Sequence, residues 1–356
     1  MPLAADMSTE LRETVAAART AGRRLTIVGG GSKGFYGRAA QGEPLHVGGH
    51  RGILNYEPTE LVLTARGGTP LAEVEAVLAA QGQMLAFEPP HFGPGATLGG
   101  AVACGLSGPR RPYAGAVRDF VLGVKVLTGR GEILRFGGQV MKNVAGYDLS
   151  RLMAGALGTL GVLLEVSLKV LPRPAAEVTL VQEHADAREA IALMNQWAAK
   201  PLPLSAACFD GHLLHVRVSG AVSAVQAARN RIGGERVEQG AAWWERLREH
   251  APPFFAGERP LWRLSLPAAC PPLDLSGKWL VDWGGAQRWL RSEEPAEKIR
   301  AAAAAAGGHA TLFRGGDRTG EVFHPLAPGV MALHRRLKAA FDPDSILNPG
   351  RMYREY

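Results

Sequence analysis

The chain has 356 residues, of which 46% are apolar and 21% charged, and its formal charge is +7 from 40 Lys and Arg against 33 Asp and Glu. That length carries two domains with separate cores, and the composition is that of a globular protein, which excludes a disordered or coiled-coil chain. No apolar run reaches the ~18 residues of a membrane span, no apolar leader opens the sequence, and basic residues never run longer than two; transmembrane, secreted and nucleic-acid-binding classes are therefore set aside for a cytoplasmic protein with an anionic ligand or partner.

In chain order, Ser8 to Ala21 carries Leu11, Val15 and Ala18 on one stripe and stops at Gly22, which predicts a helix. LTIV at 25–28 reads as a strand that delivers the loop IVGGGSKGFYG, with Gly29, Gly31 and Gly34 at the spacing of a dinucleotide fingerprint. The fingerprint also needs a helix opening directly from the loop. Instead Gly37, Gly42, Pro44, Gly48 and Gly49 follow, which break any helix before two turns and disfavour a Rossmann unit. The glycines still suit a loop that turns tightly and aims N–H groups at an anion.

A second helix is predicted with Thr69 as N-cap, Pro70 at its first position, Leu71, Val74 and Leu78 on one face, and Gly82 as stop. It lies between the strand LVLTA, from Leu61, and the extended MLAFEPP. A glycine-heavy stretch runs from Gly93 to Gly115. FVLGVKVLT and EILRF predict a hairpin turning at Gly129, Arg130 and Gly131.

After Pro172 and Pro174 the glycine-rich loops give way to VTLVQ, a helix over Ala187 to Ala198, SAACF, LLHVRV, a helix over Ala221 to Ile232, and RVEQ. That order is β-α-β-β-α-β, the ferredoxin-like arrangement with an antiparallel sheet. LWRLSLP and the arms of KWLVDWGGAQRWL add strands, the latter turning at Gly284 and Gly285, and the Ala301 to Ala306 run is a helix. The expected domains are 1–174, 175–335 and a tail, 336–356, that packs back on the first.

Cys104, Cys208 and Cys270 lie too far apart for zinc or iron–sulfur ligation and read as buried small residues, so redox chemistry here calls for an organic cofactor. His212 and His215 would face opposite sides of a strand and share no metal. The tryptophans concentrated between 243 and 289 read as core anchors. Asp119 suits a ribose or a turn, and Arg110 and Arg111 a phosphate, a partner's acidic surface or, preferably, solvent.

Three stretches taken together are more specific than any one: PPHFGPGATLGGAVACGLSGPRRPYAG at 89–115, VRDFVLGVKVLTGRGEILRFGGQVMKNVAGYDLSRLMAGALGTLGVLLEVSLKVLP at 117–172, and LNPG at 347–350. With them the chain resembles the vanillyl-alcohol-oxidase and p-cresol-methylhydroxylase type of FAD-binding domain. More closely, Val28 to Pro172 resembles the FAD-binding subunits of bacterial glycolate oxidase, a glycolate dehydrogenase complex. The resemblance implies an α+β fold: a two-subdomain p-cresol-methylhydroxylase-type FAD-binding domain followed by a ferredoxin-like antiparallel-sheet cap domain.

It also implies FAD, its diphosphate cradled first by Gly29, Gly30, Gly31, Ser32, Lys33 and Gly34. Thr97, Gly99, Gly100, Ala103, Gly105, Ser107 and Gly108 would form a second cradle, and Gly158, Thr159, Gly161 and Val162 would run alongside the dinucleotide. In covalent members a histidine in the first loop or a cysteine just before the TxGG-type loop attacks the flavin. Here the histidine position falls on Gly31 and residues 93–96 hold no cysteine, so the FAD is expected to be non-covalent, with His91 and Cys104 the nearest nucleophiles.

In related D-lactate-type dehydrogenases a stretch similar to MKNVAGYDL supplies an Arg near the substrate carboxylate. Met141 stands at that position here, which leaves Lys142 and Asn143 as the nearby candidates. This departure suits an FAD-binding subunit whose sister flavin subunit completes the oxidation of glycolate or D-lactate, with an iron–sulfur subunit taking the electrons and the complex lying in the cytoplasm or at the inner face of the membrane. A self-sufficient FAD oxidase of a hydroxy acid or sugar and a non-catalytic flavin relay or scaffold are the two competing expectations.

Overall fold

The computed structural model describes residues 5–138 and 148–356. Two compact units divide the chain: one takes Met1–Leu106, Ala116–Pro172 and Arg318–Tyr356, the other Ser107–Gly115 and Arg173–Asp317. Lys142 and Asn143, with Met141, fall outside the described residues.

In the first unit the helix Ser8–Thr20 buries Leu11, Val15 and Ala18, the stripe its periodicity predicts. The strand Leu25–Val28 pairs in parallel with Glu43–His46, so the glycine loop between them is itself the crossover and no helix opens from it. The main sheet has five antiparallel strands in the order Ile53–Glu57, Val62–Arg66, Val162–Lys169, Val121–Leu127, Ile133–Gly137. The last two form the expected hairpin, closed by a bond of 2.9 Å from Thr128 N–H to Glu132 C=O.

One local expectation is corrected, and one helix arises that the sequence did not signal. Thr69 does not cap the helix Leu71–Ala80, because its hydroxyl takes the Gly52 N–H at 2.9 Å; the capping residue is Pro70 and no side chain caps it. The glycine-heavy stretch after Gly93 contains a helix, Leu98–Cys104, whose N-cap Thr97 accepts from Gly100 N–H at 3.2 Å. The glycines that argue against a helix by propensity are required there by packing: a Cβ on Gly99 would come within 2.8 Å of the Gly67 carbonyl.

In the second unit the strands Ala176–Glu183, Leu204–Phe209, Leu213–Gly220 and Glu235–Arg236 and the helices Ala187–Ala198 and Val222–Ile232 follow the β-α-β-β-α-β order. Numbered along that order, the strands lie 4-1-3-2 in the sheet, which is the ferredoxin-like arrangement. The sheet continues through Lys278–Asp282, Gln287–Arg291, Leu261–Ser265 and His309–Arg314, joined at Phe209 and Val281. Trp244, Trp262, Trp283 and Trp289 are buried.

Arg110 is buried rather than solvated, with Nη2 at 2.6 Å from Glu177, and Arg111 lies over the Trp283 ring at 4.4 Å. Asp119 accepts from Ala116 N–H at 2.9 Å and so closes a turn. Of the three cysteines only Cys208 is fully buried.

His215 stacks on Trp243 with ring centroids 3.8 Å apart, and burial pulls its imidazole down to about 4. In the unfolded chain the same ring takes its proton near pH 6.5. The stability held above that pH is therefore lost as pH falls towards 4, by about 2 kcal/mol at pH 5. Changing His215→Phe keeps the stack, and its urea midpoint is expected to vary less with pH than that of the wild type between pH 6.5 and 4.5. Parallel profiles for the two proteins would count against this assignment.

Candidate functional site

The strand Leu25–Val28 runs straight into Gly29–Gly34, and this loop walls an open cleft of about 200 Å³ within the first unit. The facing wall is Thr97, Gly99, Gly100 and Ala103 of the short helix, and Gly158, Gly161 and Val162 form a third side. Asn348 and Arg351, more than 300 residues downstream in the chain, complete the lining.

The glycines do two different jobs. Gly29 and Gly30 let two loops interlock: a Cβ on Gly29 would sit 2.6 Å from the Thr97 hydroxyl, and one on Gly30 would overlap the Gly95 carbonyl oxygen. Gly31 instead has φ +71° and open space where a side chain would go.

Among the described residues the N–H groups of Gly30, Gly31 and Ser32 meet no acceptor of the protein. Backbone donors gathered at a cavity wall without a partner are what an anion binds. The second loop differs from the expected cradle in this respect. Leu98 N–H is taken by Thr69 C=O at 2.9 Å, Gly99 N–H by Gly67 C=O at 2.8 Å and Gly100 N–H by the Thr97 hydroxyl, so that loop supplies surface rather than free donors.

Charge favours the same kind of ligand. Lys33 and Arg351 line the cleft, and among the described residues no lining side chain is acidic. Lys33 Nζ is held at 3.0 Å from His91 C=O and 3.3 Å from the Ser32 hydroxyl. Arg351 donates from Nη1 to Arg38 C=O at 2.6 Å and from Nη2 to Gly34 C=O at 2.8 Å. Asn348 ties two walls together, accepting from Ile27 N–H at 2.7 Å and donating to Leu157 C=O at 2.6 Å. Ile27, Met153, Leu157 and Leu163 give the remaining surface an apolar character suited to flat rings.

Four of the expected residues stand elsewhere. Gly105 ends the short helix in the left-handed conformation, φ +66°, backed by Gly155. Ser107 and Gly108 belong to the second unit, where Gly108 C=O accepts from the Trp283 indole at 3.0 Å. Thr159 is fully buried, and its hydroxyl donates to Ala156 C=O at 2.7 Å. Conversely, Thr26, Ala40, Val47, Gly67, Ala156, Asn348 and Arg351 line the cleft without having been singled out; the LNPG signal was the only pointer to the last two.

Neither candidate nucleophile is poised for attack. His91 Nε2 lies 3.0 Å from Glu75 Oε2. Cys104 lines the cleft, but burial pushes its thiol up to about 11 despite the nearby charges of Lys33 and Arg351.

A family model described as FAD binding domain matches residues 3–137, and one described as FAD linked oxidases, C-terminal domain, matches residues 280–352. The chain is 51% identical over 350 residues to glycolate oxidase subunit GlcE of Escherichia coli (strain K12), an alignment that covers 98% of each. It is 34% identical over 161 residues to glycolate oxidase subunit GlcD of Bacillus subtilis (strain 168), covering 44% of this chain and 34% of that one. Among solved structures, alkyldihydroxyacetonephosphate synthase superposes with a TM-score of 0.69 at 16% identity over 96% of this chain and 74% of its own, which is a likeness of fold.

Proposed function

The chain belongs to the family of FAD-binding glycolate oxidase subunits, and from that premise we propose that it holds one FAD, without a covalent bond, in the cleft walled by Gly29–Gly34. The observation that carries this reading is the cluster of N–H groups at Gly30, Gly31 and Ser32, which meet no acceptor among the described residues, beside Lys33 and Arg351 on a wall where no described residue is a carboxylate. Two phosphates need that combination of donors and positive charge. Bound there, FAD supplies the two-electron acceptor for oxidation of a hydroxy acid to its oxo acid.

The chain's own residues would hold and orient that group. Amides 30–32 would donate to phosphate oxygens, Lys33 and Arg351 would neutralise them, and Ile27, Met153 and Leu157 would exclude water from the rings. The open space at Gly31, where covalent relatives carry a histidine, leaves the flavin unattached.

By likeness to its relatives the chain works with a second flavin subunit and an iron–sulfur subunit on glycolate or a similar 2-hydroxy acid such as D-lactate, and meets a membrane through that complex. The scattered cysteines agree with an electron relay housed in a partner. Among the described residues no helix is long and apolar enough to cross a membrane.

One purification tests the reading. The chain isolated from its native host is expected to be yellow and to bring sister subunits with it. Acid should then leave a colourless pellet and release FAD at about one per chain. Elution of FMN or a nicotinamide nucleotide, or flavin fluorescence that stays with the chain on a denaturing gel, would overturn the cofactor assignment. Turnover of glycolate by the isolated chain with a dye acceptor would favour a self-sufficient oxidase instead.

A further inference from the structure

We propose that the C-terminal segment Ile346–Arg351 is the clasp of the cleft and that Arg351 is a phosphate-binding residue of the cofactor, an inference that rests on the cleft being the FAD site. The segment is stitched to the strand that leads into the glycine loop: Leu25 N–H donates to Ile346 C=O at 2.7 Å, and Asn348 N–H to Leu25 C=O at 2.9 Å. The Asn348 side chain then spans from Ile27 to Leu157, across two walls. Beyond it, Arg351 reaches the far end of the same loop at Gly34. Of the residues it holds, Ile27, Gly34 and Leu157 line the cleft.

Arg351 is more than a structural tie. Its guanidinium uses two nitrogens on carbonyl oxygens, at Arg38 and Gly34, and has N–H donors to spare. Both partners are neutral acceptors, so its full positive charge is left for the cleft that it lines. Arg351 holds the carbonyl of Gly34, the residue next to Lys33, so the two cations stand by the same end of the loop on the cleft wall. A planar, permanently charged fork is the side chain best matched to a phosphate, where a lysine serves only as a point charge. Occupation of that end by a phosphate would bind the tail as well as the cofactor, so release of FAD and loosening of the tail become one event.

The test compares FAD with riboflavin, which carries the same ring system and no phosphate, on the full chain stripped of flavin. Arg351→Met is expected to weaken FAD 10- to 100-fold while leaving riboflavin within about threefold, and Arg351→Lys to recover part of the FAD affinity. FAD, but not riboflavin, should also slow tryptic cleavage after Arg351 in the wild type. Equal losses for both ligands would mean that Arg351 only supports the fold and would overturn the inference, as would unchanged FAD binding by Arg351→Met. A wild-type chain that takes up riboflavin but prefers FAD no more than the variant does overturns it alone. A wild-type chain that takes up no flavin at all removes the cleft assignment beneath it.

Discussion

Gly30→Ala is expected to yield a protein that retains no FAD and is less stable by about 3 kcal/mol or more. Even a methyl group at this position would overlap the Gly95 carbonyl oxygen, which belongs to backbone and cannot rotate away as a flexible side chain would. The loops must separate, and such overpacking costs 1–3 kcal/mol in ordinary cores and more where backbone has to move. Separation also displaces the N–H groups of Gly30, Gly31 and Ser32 from one another, so FAD affinity should fall by roughly 100-fold or more, about 2.7 kcal/mol. Gly31→Ala is the internal comparison. Its Cβ meets nothing within 4 Å, and the cost is the left-handed backbone alone, roughly 1–2 kcal/mol. Thermal melts and flavin absorbance of the two purified variants decide the matter. A Gly30→Ala protein as yellow and as stable as the wild type would show that the two loops do not interlock as described.

The second large effect is expected at Lys338, which lies on the helix Pro328–Phe341 and is 4% exposed. Its ammonium group donates at 2.7 Å to each of three acceptors: the Asp342 carboxylate, Thr159 C=O and Leu347 C=O. Asp342, fully buried, in turn accepts from Ile346 N–H at 3.1 Å and Leu347 N–H at 2.8 Å. Burial lowers the pKa of Lys338, and Asp342 acts against that shift.

Lys338→Met leaves a charged carboxylate in the interior without its counter-ion, which costs about 3–5 kcal/mol. Asp342→Asn made alongside it removes the orphaned charge and should recover part of the loss. Because the same group orders the chain just ahead of Asn348 and Arg351, flavin retention should fall with stability. Chemical denaturation of the single and double variants checks this. A single variant within 1 kcal/mol of the wild type, or a double variant less stable than the single, would show that the ion pair does not anchor the tail.

These two sites differ in how far they could be read in advance. Gly30 stands in a run whose composition announces close approach, yet the run does not say what is approached. Propensity suggests a ligand, whereas Gly29 and Gly30 are required by Thr97 and Gly95, and of these three glycines Gly31 alone has open space where a Cβ would stand. Lys338 looks like any lysine on a basic helix; its burial comes from contacts with residues 159 and 347, which no local pattern records. Thr69 shows the same limit from the other side. The signature Thr-Pro ahead of an apolar stripe places the helix correctly, but the hydroxyl finds Gly52 instead of the helix end.

The units also divide the chain differently from the expected boundaries at 174 and 335. The break after Pro172 lies where the composition changes, but residues 107–115 join the second unit, where Arg110 finds Glu177. Residues 318–335 join the first, where Arg318 donates to Gly37 C=O.

By itself, then, the sequence determined the elements whose information is local. The helix stripe of Leu11, Val15 and Ala18, the hairpin at 121–137, the β-α-β-β-α-β order after Pro172 and a glycine loop suited to a phosphate all follow from periodicity, turn chemistry and backbone freedom within a few residues. Only the tertiary structure decided which glycines face a ligand, that the amides of Leu98, Gly99 and Gly100 are already engaged, and that Asn348 and Arg351 close a cleft that opens at Gly29. The reason is physical. Hydrogen bonds and charge act over a few ångströms in space, and chain separation, more than 300 residues between Gly29 and Arg351, carries no trace of them until the fold has brought the two together.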